Sequence, residues 1–439
     1  MAFELWILDF LSMLDIKLIR QNPQIVKEAC KKRGASVDVD KLLKTDKERL
    51  DILKSVEEIR AKKNQANKKI KSSADENEKK KIIGEMKKLD ERGDELTRRL
   101  KIVEKEFNLQ MFQLPNIPLN DVPVGFNESA NVIEKETGKI PKFGFKPKDY
   151  LEIGEESGII DVKRASKVSG SRFGYLRAEA ALLEFALVRL AFDVLTKEGF
   201  TPVVPPVFIK PEMMWGMGYI DTEADRAERY FFEKDNLFLV GTAEQSIGPM
   251  HQGEIFQEKD LPKRYVAFST CFREEAGSYG KDTKGILRVH QFDKLEMFSY
   301  SLPQKSKEEH KFLISLEEKL MNMLKLPYRI VHLSTGDTAR PLASTFDIET
   351  WMPGQNKYRE THSSSNATDF QARRLNIRYK NKKGELGLVH TLNATAFAIG
   401  RMIIAILENC QQKNGDVKIP TALKKYLPFT VIKTSKNEK

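Results

Sequence analysis

The stretch RYVAFSTCFREEAGSYGKDTKGILRVHQFDKLEMFSY, residues 264–300, contains two strand-like runs joined by a polar, glycine-containing loop. Both runs, RYVAFSTCF and HQFDKLEMFSY, are rich in the β-branched and aromatic residues that suit a pleated sheet. Charged residues nevertheless follow the first run at Arg273, Glu274 and Glu275 and interrupt the second at Asp293, Lys294 and Glu296. Such charges within otherwise apolar strands indicate a functional site as well as a sheet.

The sequence around this stretch predicts a mixed domain from about Tyr150 onward. Strand-like runs outnumber helical ones and do not alternate regularly with them, which favours an α+β fold with an antiparallel sheet and flanking helices. There is no GxxxxGK[ST] loop, and no GxGxxG follows a strand, so a nucleotide would need another binding device. The predicted strands include 201–209, 237–242, 264–272 and 290–300, and the predicted helices are 176–198, 307–325 and 395–411.

Residues 46–110 differ in composition from the rest of the chain, since they lack proline and are dominated by charged side chains. Apolar or small residues recur there at steps of four and three in two series, the heptad pattern of helices that share a narrow seam. The polar segment 72–77 between the series offers N-cap residues. We predict an antiparallel coiled-coil hairpin whose second helix, of about 30 residues, is roughly 45 Å long. The two series are Ile52, Val56, Ile59, Ala66 and Ile70, with Lys63 in one core place, and Ile82, Met86, Leu89, Gly93, Leu96, Leu100, Val103 and Phe107.

The outer half of this predicted arm is basic. Residues 62–81 hold eight lysines against three acidic residues, and the whole chain has a net charge of +11. Lysines without interleaved aromatic residues suit contacts with nucleic-acid phosphates, and the candidates are Lys68, Lys69, Lys79 and Lys80. A solvated coiled-coil surface in a lysine-rich protein is the alternative interpretation.

The length of 439 residues predicts two or three domains. We expect an N-terminal domain over 13–114 and a catalytic domain over 115–439, of which 115–150 is an irregular, proline-marked linker. Residues 1–12 lack a secretory signal pattern, and Met13 opens a helical pattern of its own, so we expect 1–12 to be dispensable.

The three cysteines lie far apart, which argues against a disulfide framework or a zinc site and favours a reducing compartment. No apolar run approaches the roughly 20 residues that a membrane span requires. We therefore expect no membrane partner.

Three further segments combine polar residues with strand-like or helical sequence. GTAE (241–244) follows a strand-like run, ETHSSSN (360–366) offers oxygen ligands that suit Mg²⁺, and NATA (393–396) leads into Arg401. In the opening stretch, Arg273 and Glu275 are predicted to share one strand face, where the arginine can clamp a carboxylate or phosphate. Taken alone, each segment is better explained by a structural role, such as a surface ion pair for Arg273 and Glu275 or a strand end for GTAE.

Together these segments resemble the three motifs of class II aminoacyl-tRNA synthetases. GFTPVVPP, with Pro205, is similar to the first motif, and NATAFAIGR is similar to the third. Residues 272–298 are similar, almost residue for residue, to the second motif of seryl-tRNA synthetases. MLDIKLIR, the arm, LPNIP, GTAE and DFQARR also lie where that family has them, so the resemblance covers residues 13 to about 430.

The resemblance implies an ATP-dependent serine–tRNA ligase that uses Mg²⁺. It implies catalytic roles for Arg273 and Arg401, an adenine ring sandwiched between Phe292 and Arg401, and metal ligation by Glu360 and Ser363. The serine-binding positions that it implies are Thr242, Ala243, Glu244, Arg273, Glu296 and Thr395. The ATP-binding positions are Arg273, Glu274, Glu275, Val289, Phe292, Glu360, Thr361, His362, Ser363 and Arg401.

The same resemblance implies a cytoplasmic, two-fold homodimer whose substrates are L-serine and tRNA(Ser), together with tRNA(Sec) where that is present. This chain departs from the family at Ala394-Thr395, where Gly-Ser or Gly-Thr is common. It also departs at Thr361-His362, where Ile or Val and then Ser is usual.

Two alternative functions are consistent with parts of this sequence. One is an armless paralogue that loads a carrier protein, against which the basic hairpin argues. The other is a coiled-coil nucleic-acid-binding module joined to a degenerate ATP-like domain, against which the complete set of motif residues argues.

Overall fold

The structure is a computed structural model that describes residues 14–72, 75–276, 282 and 284–434. The expectation for residues 1–12 lies outside the described residues, as do Ser73 and Ala74 of the arm turn and most of the loop 277–283. The chain divides into two compact units, one that ends at Pro115 and one that begins at Asn116.

The N-terminal unit is helical. The helix α2 begins at Pro23 after Asn22, because proline suits the first position of a helix. The two long helices that follow have 34 and 37 residues and form the predicted antiparallel hairpin. The helices are α1 (Ile16–Gln21), α2 (Pro23–Lys32), α3 (Val39–Ser72) and α4 (Glu76–Phe112).

The arm helices are longer than the heptad pattern predicts. The helix α3 begins at Val39 and α4 extends to Phe112, so α4 is roughly 55 Å long at the usual rise. The heptad series marks only the shared seam, whereas Val39 and Leu42 are buried before that seam begins.

The seam has the register that the two series predict. Ile52, Val56 and Val103 form its buried core, with Leu96 and Leu100 packed against them. A Cβ atom on Gly93 would lie 3.4 Å from Cγ2 of Ile59, so the glycine faces the opposite helix. Lys63, the polar residue at a core position of the first heptad series, forms an ion pair with Asp90 across the seam.

The second unit is built on an eight-stranded sheet that is antiparallel except for one parallel pair at its edge. The antiparallel α+β fold that the sequence predicts is confirmed. The strands are β1 (Val132–Thr137), β2 (Ile160–Asp161), β3 (Tyr175–Leu176), β4 (Thr201–Val203), β5 (Phe208–Ile209), β6 (Phe231–Phe232), β7 (Leu237–Leu239), β8 (Ile255–Gln257), β9 (Lys263–Phe272), β10 (Gln291–Ser301), β11 (Tyr328–His332), β12 (Ser344–Met352), β13 (Lys357–Asn366), β14 (Arg378–Lys380), β15 (Leu386–Leu388), β16 (His390–Ala398), β17 (Val417–Lys418) and β18 (Val431–Ile432).

Strand order in the main sheet is β1-β11-β12-β13-β16-β10-β9-β4. The helices of this unit are α5 (Tyr150–Glu156), α6 (Val162–Ser169), α7 (Glu179–Leu195), α8 (Pro211–Gly216), α9 (Glu223–Ala227), α10 (Glu244–Ile247), α11 (Ser306–Leu324), α12 (Phe370–Leu375) and α13 (Ile399–Asn409). None of the helices in the described part of the chain has the length and hydropathy of a membrane span.

The hydrophobic core lies on one face of the sheet, against α7, α11 and α13. Leu295 and Met297 of β10 belong to this core. Because side chains alternate along a strand, their neighbours Lys294 and Glu296 lie on the other face. The sheet therefore separates an apolar core from a face that carries charge.

Three predicted boundaries are wrong. Residues 395–398 are extended rather than helical, because they pair with β10, and α13 begins only at Ile399. The linker 115–150 is not irregular throughout, since β1 lies within it and pairs with β11 at the sheet edge. The helix predicted over 176–198 is α7, which ends at Leu195 before a short 3-10 turn that Gly199 closes with a φ of 85°.

Candidate active site

A cavity of about 220 Å³ opens on the charged face of the sheet, where β13, β16, β10 and β9 lie side by side. The structure brings most of the predicted site residues together there. Those that line the cavity are Thr242, Glu244, Arg273, Glu275, Val289, Phe292, Glu296, Glu360, Thr361, Ser363, Thr395 and Arg401.

Three of the predicted serine- and ATP-binding residues do not line the cavity. Ala243 is fully buried in a hydrophobic cluster. The main-chain N–H of Glu274 donates to the carbonyl of Glu228, outside the cavity. His362 is buried against Thr361, and burial lowers the pKa of its imidazole to about 3, so the ring stays neutral. The unusual histidine therefore adds no charge to the site.

Arg273 enters the cavity from the end of β9. Its Nε donates to the carbonyl of Gly241 at 3.1 Å, and its guanidinium carbon lies 5.2 Å from the centre of the Phe292 ring. The predicted strand face shared with Glu275 is wrong, because β9 ends at Phe272 and Glu275 has a left-handed φ of 53°. Both side chains reach the cavity because the chain turns there.

The returning end of the loop that follows Glu275 is anchored to Tyr150. The tyrosine hydroxyl accepts from the N–H of Ile286 at 3.1 Å and donates to the carbonyl of Lys284 at 3.3 Å. Gly285, with a φ of 84°, permits this contact, since a Cβ atom would lie 1.9 Å from the hydroxyl oxygen. Arg288 then donates to the Glu275 carboxylate at 2.7 Å.

Two buried carboxylates, Glu244 and Glu296, lie at one end of the cavity. Tyr219 and Asn393 donate to the two different oxygens of Glu244. Lys294 Nζ lies 2.5 Å from Oε2 of Glu296. Burial raises the pKa of Glu244, and the negative charge of Glu296 raises it further. Burial also raises the pKa of Glu296, although Lys294 opposes that shift.

A β-bulge directs Thr395 into the cavity. Leu295 pairs with Phe397, but the next residue, Glu296, pairs with Thr395, so Ala396 is extra. Bulges re-aim side chains in this way beside active sites. The hydroxyl of Thr395 consequently lies on the same face as Glu296, whereas Phe397 belongs to the core.

A second bulge brings Glu360 and Ser363 to one face of β13. Ile348 pairs with His362 and Glu349 pairs with Glu360, so Thr361 is extra. In a regular strand, residues three apart would face opposite ways. Arg401 donates to the carbonyl of Glu360 at 2.8 Å and lies 3.2 Å from its carboxylate. Burial alone would raise the pKa of Glu360, but Arg401 and Arg273 outweigh it and hold that pKa below its ordinary value.

Several cavity residues were not predicted from the sequence. Lys294 stands two residues before Glu296, so strand alternation was a signal for it. Tyr219 and Arg229 come from the segment around α9, which carries no pattern that links it to the sheet. This segment is held by the fully buried Arg374, whose NH1 and NH2 donate to Asp221 at 3.0 and 2.9 Å.

Among the described residues, no group of three or more His, Cys, Asp or Glu side chains could hold a metal ion. Glu360 and Ser363 supply only two oxygen ligands. That number suits Mg²⁺, which commonly takes one or two protein ligands and completes its shell with substrate phosphates and water.

Comparison with known proteins identifies both units of the chain. Residues 13–118 match the family model of the seryl-tRNA synthetase N-terminal domain. Residues 230–410 match the class II tRNA synthetase core domain of the glycine, histidine, proline, serine and threonine enzymes.

Curated and solved relatives match over nearly the whole chain. The serine–tRNA ligase of Dictyoglomus turgidum is 43% identical over 97% of this chain and 100% of its own. The crystal structure of seryl-tRNA synthetase from Pyrococcus horikoshii complexed with ATP is 41% identical, with a TM-score of 0.88 over 95% of this chain and 99% of that one. The cytoplasmic serine–tRNA ligase from Naegleria fowleri in complex with AMP is 32% identical, with a TM-score of 0.84 over 96% of this chain and 99% of that one.

The fold, the grouping of motif residues around one cavity and these full-length similarities agree. The chain belongs to the seryl-tRNA synthetase family of class II aminoacyl-tRNA synthetases.

Proposed function

We propose that the cavity activates L-serine with ATP and that the chain then transfers serine to tRNA(Ser), and to tRNA(Sec) where that is present. The observation that carries this proposal is the convergence of Arg273, the two carboxylates Glu244 and Glu296, and Thr395 around one cavity in a chain of this family. Solved relatives bound to ATP and to AMP support a nucleotide in that cavity.

We assign ATP binding to the part of the cavity that Phe292 lines. Phe292 and Arg401 would sandwich the adenine ring, since an aromatic face and a planar guanidinium both stack on a base. Glu275, held by Arg288, and the segment at Val289 would read the adenine edge. Thr361 also lines this cavity. Glu274 and His362 do not line the cavity, so their assignments to the nucleotide stay predictions that rest on the resemblance alone.

The serine end is assigned to the carboxylate corner. Thr242, Glu244, Glu296 and Thr395 surround it with oxygen atoms that suit the ammonium and hydroxyl groups of serine. Ala243 does not line the cavity, so its assignment to serine stays a prediction that rests on the resemblance. Alanine, which lacks the hydroxyl, would leave buried polar groups of the site unpaired. The site should therefore discriminate strongly against alanine in favour of serine.

The chemistry requires no protein nucleophile. The serine carboxylate attacks the α-phosphate of ATP and pyrophosphate leaves. A hydroxyl of the 3′-terminal adenosine of tRNA then attacks the carbonyl carbon of the seryl-adenylate, and AMP leaves as the ester forms. Arg273 orients the two reacting groups and, with Arg401, neutralises charge that develops between them. Both arginines are held by main-chain carbonyls, of Gly241 and Glu360, which keeps them in place before the substrates bind.

We further propose that Glu360 and Ser363 hold Mg²⁺. Asp347 stands opposite Ser363 on β12, and its Oδ1 is buried without a hydrogen-bond partner among the described residues, so the local donor set suits a cation. When bound, Mg²⁺ would neutralise phosphate charge on ATP.

Glu360→Gln should raise the Mg²⁺ concentration that half-saturates ATP–pyrophosphate exchange, because it removes a carboxylate ligand. The measurement is the exchange rate as a function of Mg²⁺ concentration. Glu349→Gln is the matched control, since Glu349 pairs with Glu360 across the strands but bonds Arg329 at 2.6 Å and does not line the cavity. An unchanged Mg²⁺ dependence in Glu360→Gln would contradict the ligand assignment.

We propose that the chain forms a two-fold homodimer. Several large apolar side chains near the first motif are exposed in the single chain, including Phe185 at 63% and Val204 at 78%. Exposed apolar surface of this kind marks protein interfaces. Mass measurement at micromolar concentration should give twice the mass of the chain, and a fully active monomer would refute the dimer.

The N-terminal domain, 13–114, is proposed to bind tRNA through the arm, and the remainder, 115–439, to catalyse. Lys68, Lys69 and Lys80 are exposed, and Lys79 is half-buried beside Glu76, 2.8 Å away. We place the enzyme in the cytoplasm, which the three free thiols of Cys30, Cys271 and Cys410 suit.

The direct test of this function is the charging of purified tRNA(Ser) with labelled serine. The chain should form labelled seryl-tRNA only in the presence of ATP. Absence of charging by folded protein, with its cognate tRNA and Mg²⁺ supplied, would overturn the proposal.

A further inference from the structure

We propose that Lys294 is a positioning residue for serine, because it holds one oxygen of Glu296 and thereby presents the other oxygen to the substrate. The inference rests on the proposed serine site. It assigns to Lys294 a role distinct from those of the residues that touch serine or ATP.

The geometry gives the two oxygens of Glu296 different partners. Lys294 Nζ lies 2.5 Å from Oε2, and the hydroxyl of Thr242 donates to the same oxygen at 3.4 Å. The other oxygen, Oε1, is buried and has no hydrogen-bond partner within the part of the chain that the structure describes. Glu296 itself is 1% exposed. A buried acceptor without a partner is costly, so a donor from the ligand is required there.

Glu244 does not offer an equivalent acceptor. Tyr219 donates to one of its oxygens and Asn393 donates to the other. Of the two carboxylates in the corner, Glu296 therefore presents the open lone pairs. The substrate group that reaches Oε1 is a donor, either the ammonium or the hydroxyl of serine.

Lys294 is well placed to fix that arrangement. It lies on β10 two residues before Glu296, so both side chains project from the same face of a central strand. The lysine is 8% exposed, which leaves its ammonium little freedom to exchange partners with water. Sites built on rigid strands hold their groups more precisely than sites built on loops.

The charge of Lys294 also matters for the ionisation of the corner. Burial raises the pKa values of both carboxyl groups, the negative charge of Glu296 raises that of Glu244 further, and the lysine ammonium opposes both shifts. Arg273 opposes them as well. The titratable and charged groups of the surrounding elements that interact with these two carboxylates or with Lys294 are Tyr219, Cys271, Arg273, Glu317 and Glu360.

The direction of the expected pH effect follows from the loss of the positive charge of Lys294. Without the ammonium, the pKa of Glu296 rises, so the carboxylate becomes protonated at a higher pH than in the wild type. Activity that needs an ionised Glu296 is then lost earlier as pH falls. The acid limb of the pH profile of kcat/KM for serine should move to higher pH by roughly one unit, since an adjacent opposite charge shifts the pKa of a carboxyl group by about one unit or more.

The experiment compares Lys294→Met with Lys319→Met in ATP–pyrophosphate exchange between about pH 6 and pH 9. The control is matched, because Lys319 Nζ also lies 2.5 Å from a carboxylate, that of Glu198, but on the surface and outside the cavity. Lys294→Met should raise KM for serine roughly 10-fold on the acid side of the profile, since a shift of about one pKa unit changes the ionised fraction of Glu296 by about that factor there. KM for ATP should change little, and Lys319→Met should resemble the wild type.

The outcomes separate this inference from the function on which it rests. Wild-type exchange with serine tests the function, whatever the variants do. A wild-type KM for serine and an unmoved acid limb in Lys294→Met would overturn the positioning role. Equal rises in KM for serine and ATP, without a pH shift, would show a structural role instead and overturn it too. If Lys294→Met does not fold, Lys294→Gln, which keeps a donor but no charge, carries the same test through the pH profile.

Discussion

Arg273→Ala should slow serine-dependent ATP–pyrophosphate exchange on the order of 100- to 1000-fold, the usual loss when a charge-stabilising donor is removed. The arginine lies between the proposed serine and nucleotide ends of the cavity, beside Gly241 and the ring of Phe292. Its removal leaves both substrates without the group that orients their reacting atoms. The measurement is kcat/KM for serine and for ATP.

The fold should tolerate this change, because Arg273 is only partly buried and its contacts with the carbonyl of Gly241 and the ring of Phe292 lie at the cavity rather than in the hydrophobic core. Thermal unfolding of Arg273→Ala should therefore stay within a few degrees of the wild type, about the effect of 1 kcal/mol. Arg273→Lys is the matched variant, since it keeps the charge but loses the planar fork, and it should recover only part of the rate. Near-normal exchange in Arg273→Ala would contradict the site assignment.

Shortening the arm should separate the two half-reactions. The deletion that the structure favours removes the residues between Ile59 and Gly93 and joins these two through a short turn, because they face each other across the seam. It removes the lysine-rich outer half and spares Asp46, which bonds Arg20 at 2.6 Å at the base. Serine activation should persist, since the residues that line the cavity all lie beyond the arm. Transfer to tRNA should fall to background.

Two measurements on the same protein check this result, ATP–pyrophosphate exchange and charging of tRNA. Normal charging by the shortened protein would show that the arm does not bind tRNA. Loss of serine activation in a folded, shortened protein would show that the arm supports the cavity instead.

Replacing Lys68, Lys69, Lys79 and Lys80 by glutamine is the graded form of this test. The dependence of tRNA affinity on salt should flatten, because each lost phosphate contact removes a released counterion and lowers the slope by up to about 0.9. The control replaces four lysines near the base of the arm, which are Lys47, Lys54, Lys101 and Lys105. Equal losses in both variants would indicate that only net charge matters.

Local periodicity accounts for the features that the sequence predicts correctly. The arm follows from steps of four and three, because the seam residues must face one partner along two whole helices. Phe292 and Glu296 were placed on one face of β10 by alternation alone, and the structure confirms that both line the cavity. The same rule, applied to Lys294, would have placed that lysine beside them.

The predictions that failed did so where the backbone leaves a regular pattern. Glu275 has left the strand, so alternation does not describe it. Thr395 was assigned to a helix, whereas it lies on β16 and reaches the cavity through a bulge that depends on pairing with β10. Tyr219 is brought to Glu244 by the segment that Arg374 anchors, which is a tertiary contact without a local signal.

The most direct measurement of the central claim is ATP–pyrophosphate exchange with each of the twenty amino acids in turn, by the full chain with Mg²⁺ and without tRNA. We expect serine to support exchange, and alanine, which lacks the hydroxyl, to give none at equal concentration. Arg273→Ala, tested in parallel, should abolish most of the serine signal. If folded protein supports exchange with another amino acid in preference to serine, or with none of the twenty, the chain does not activate serine at this cavity.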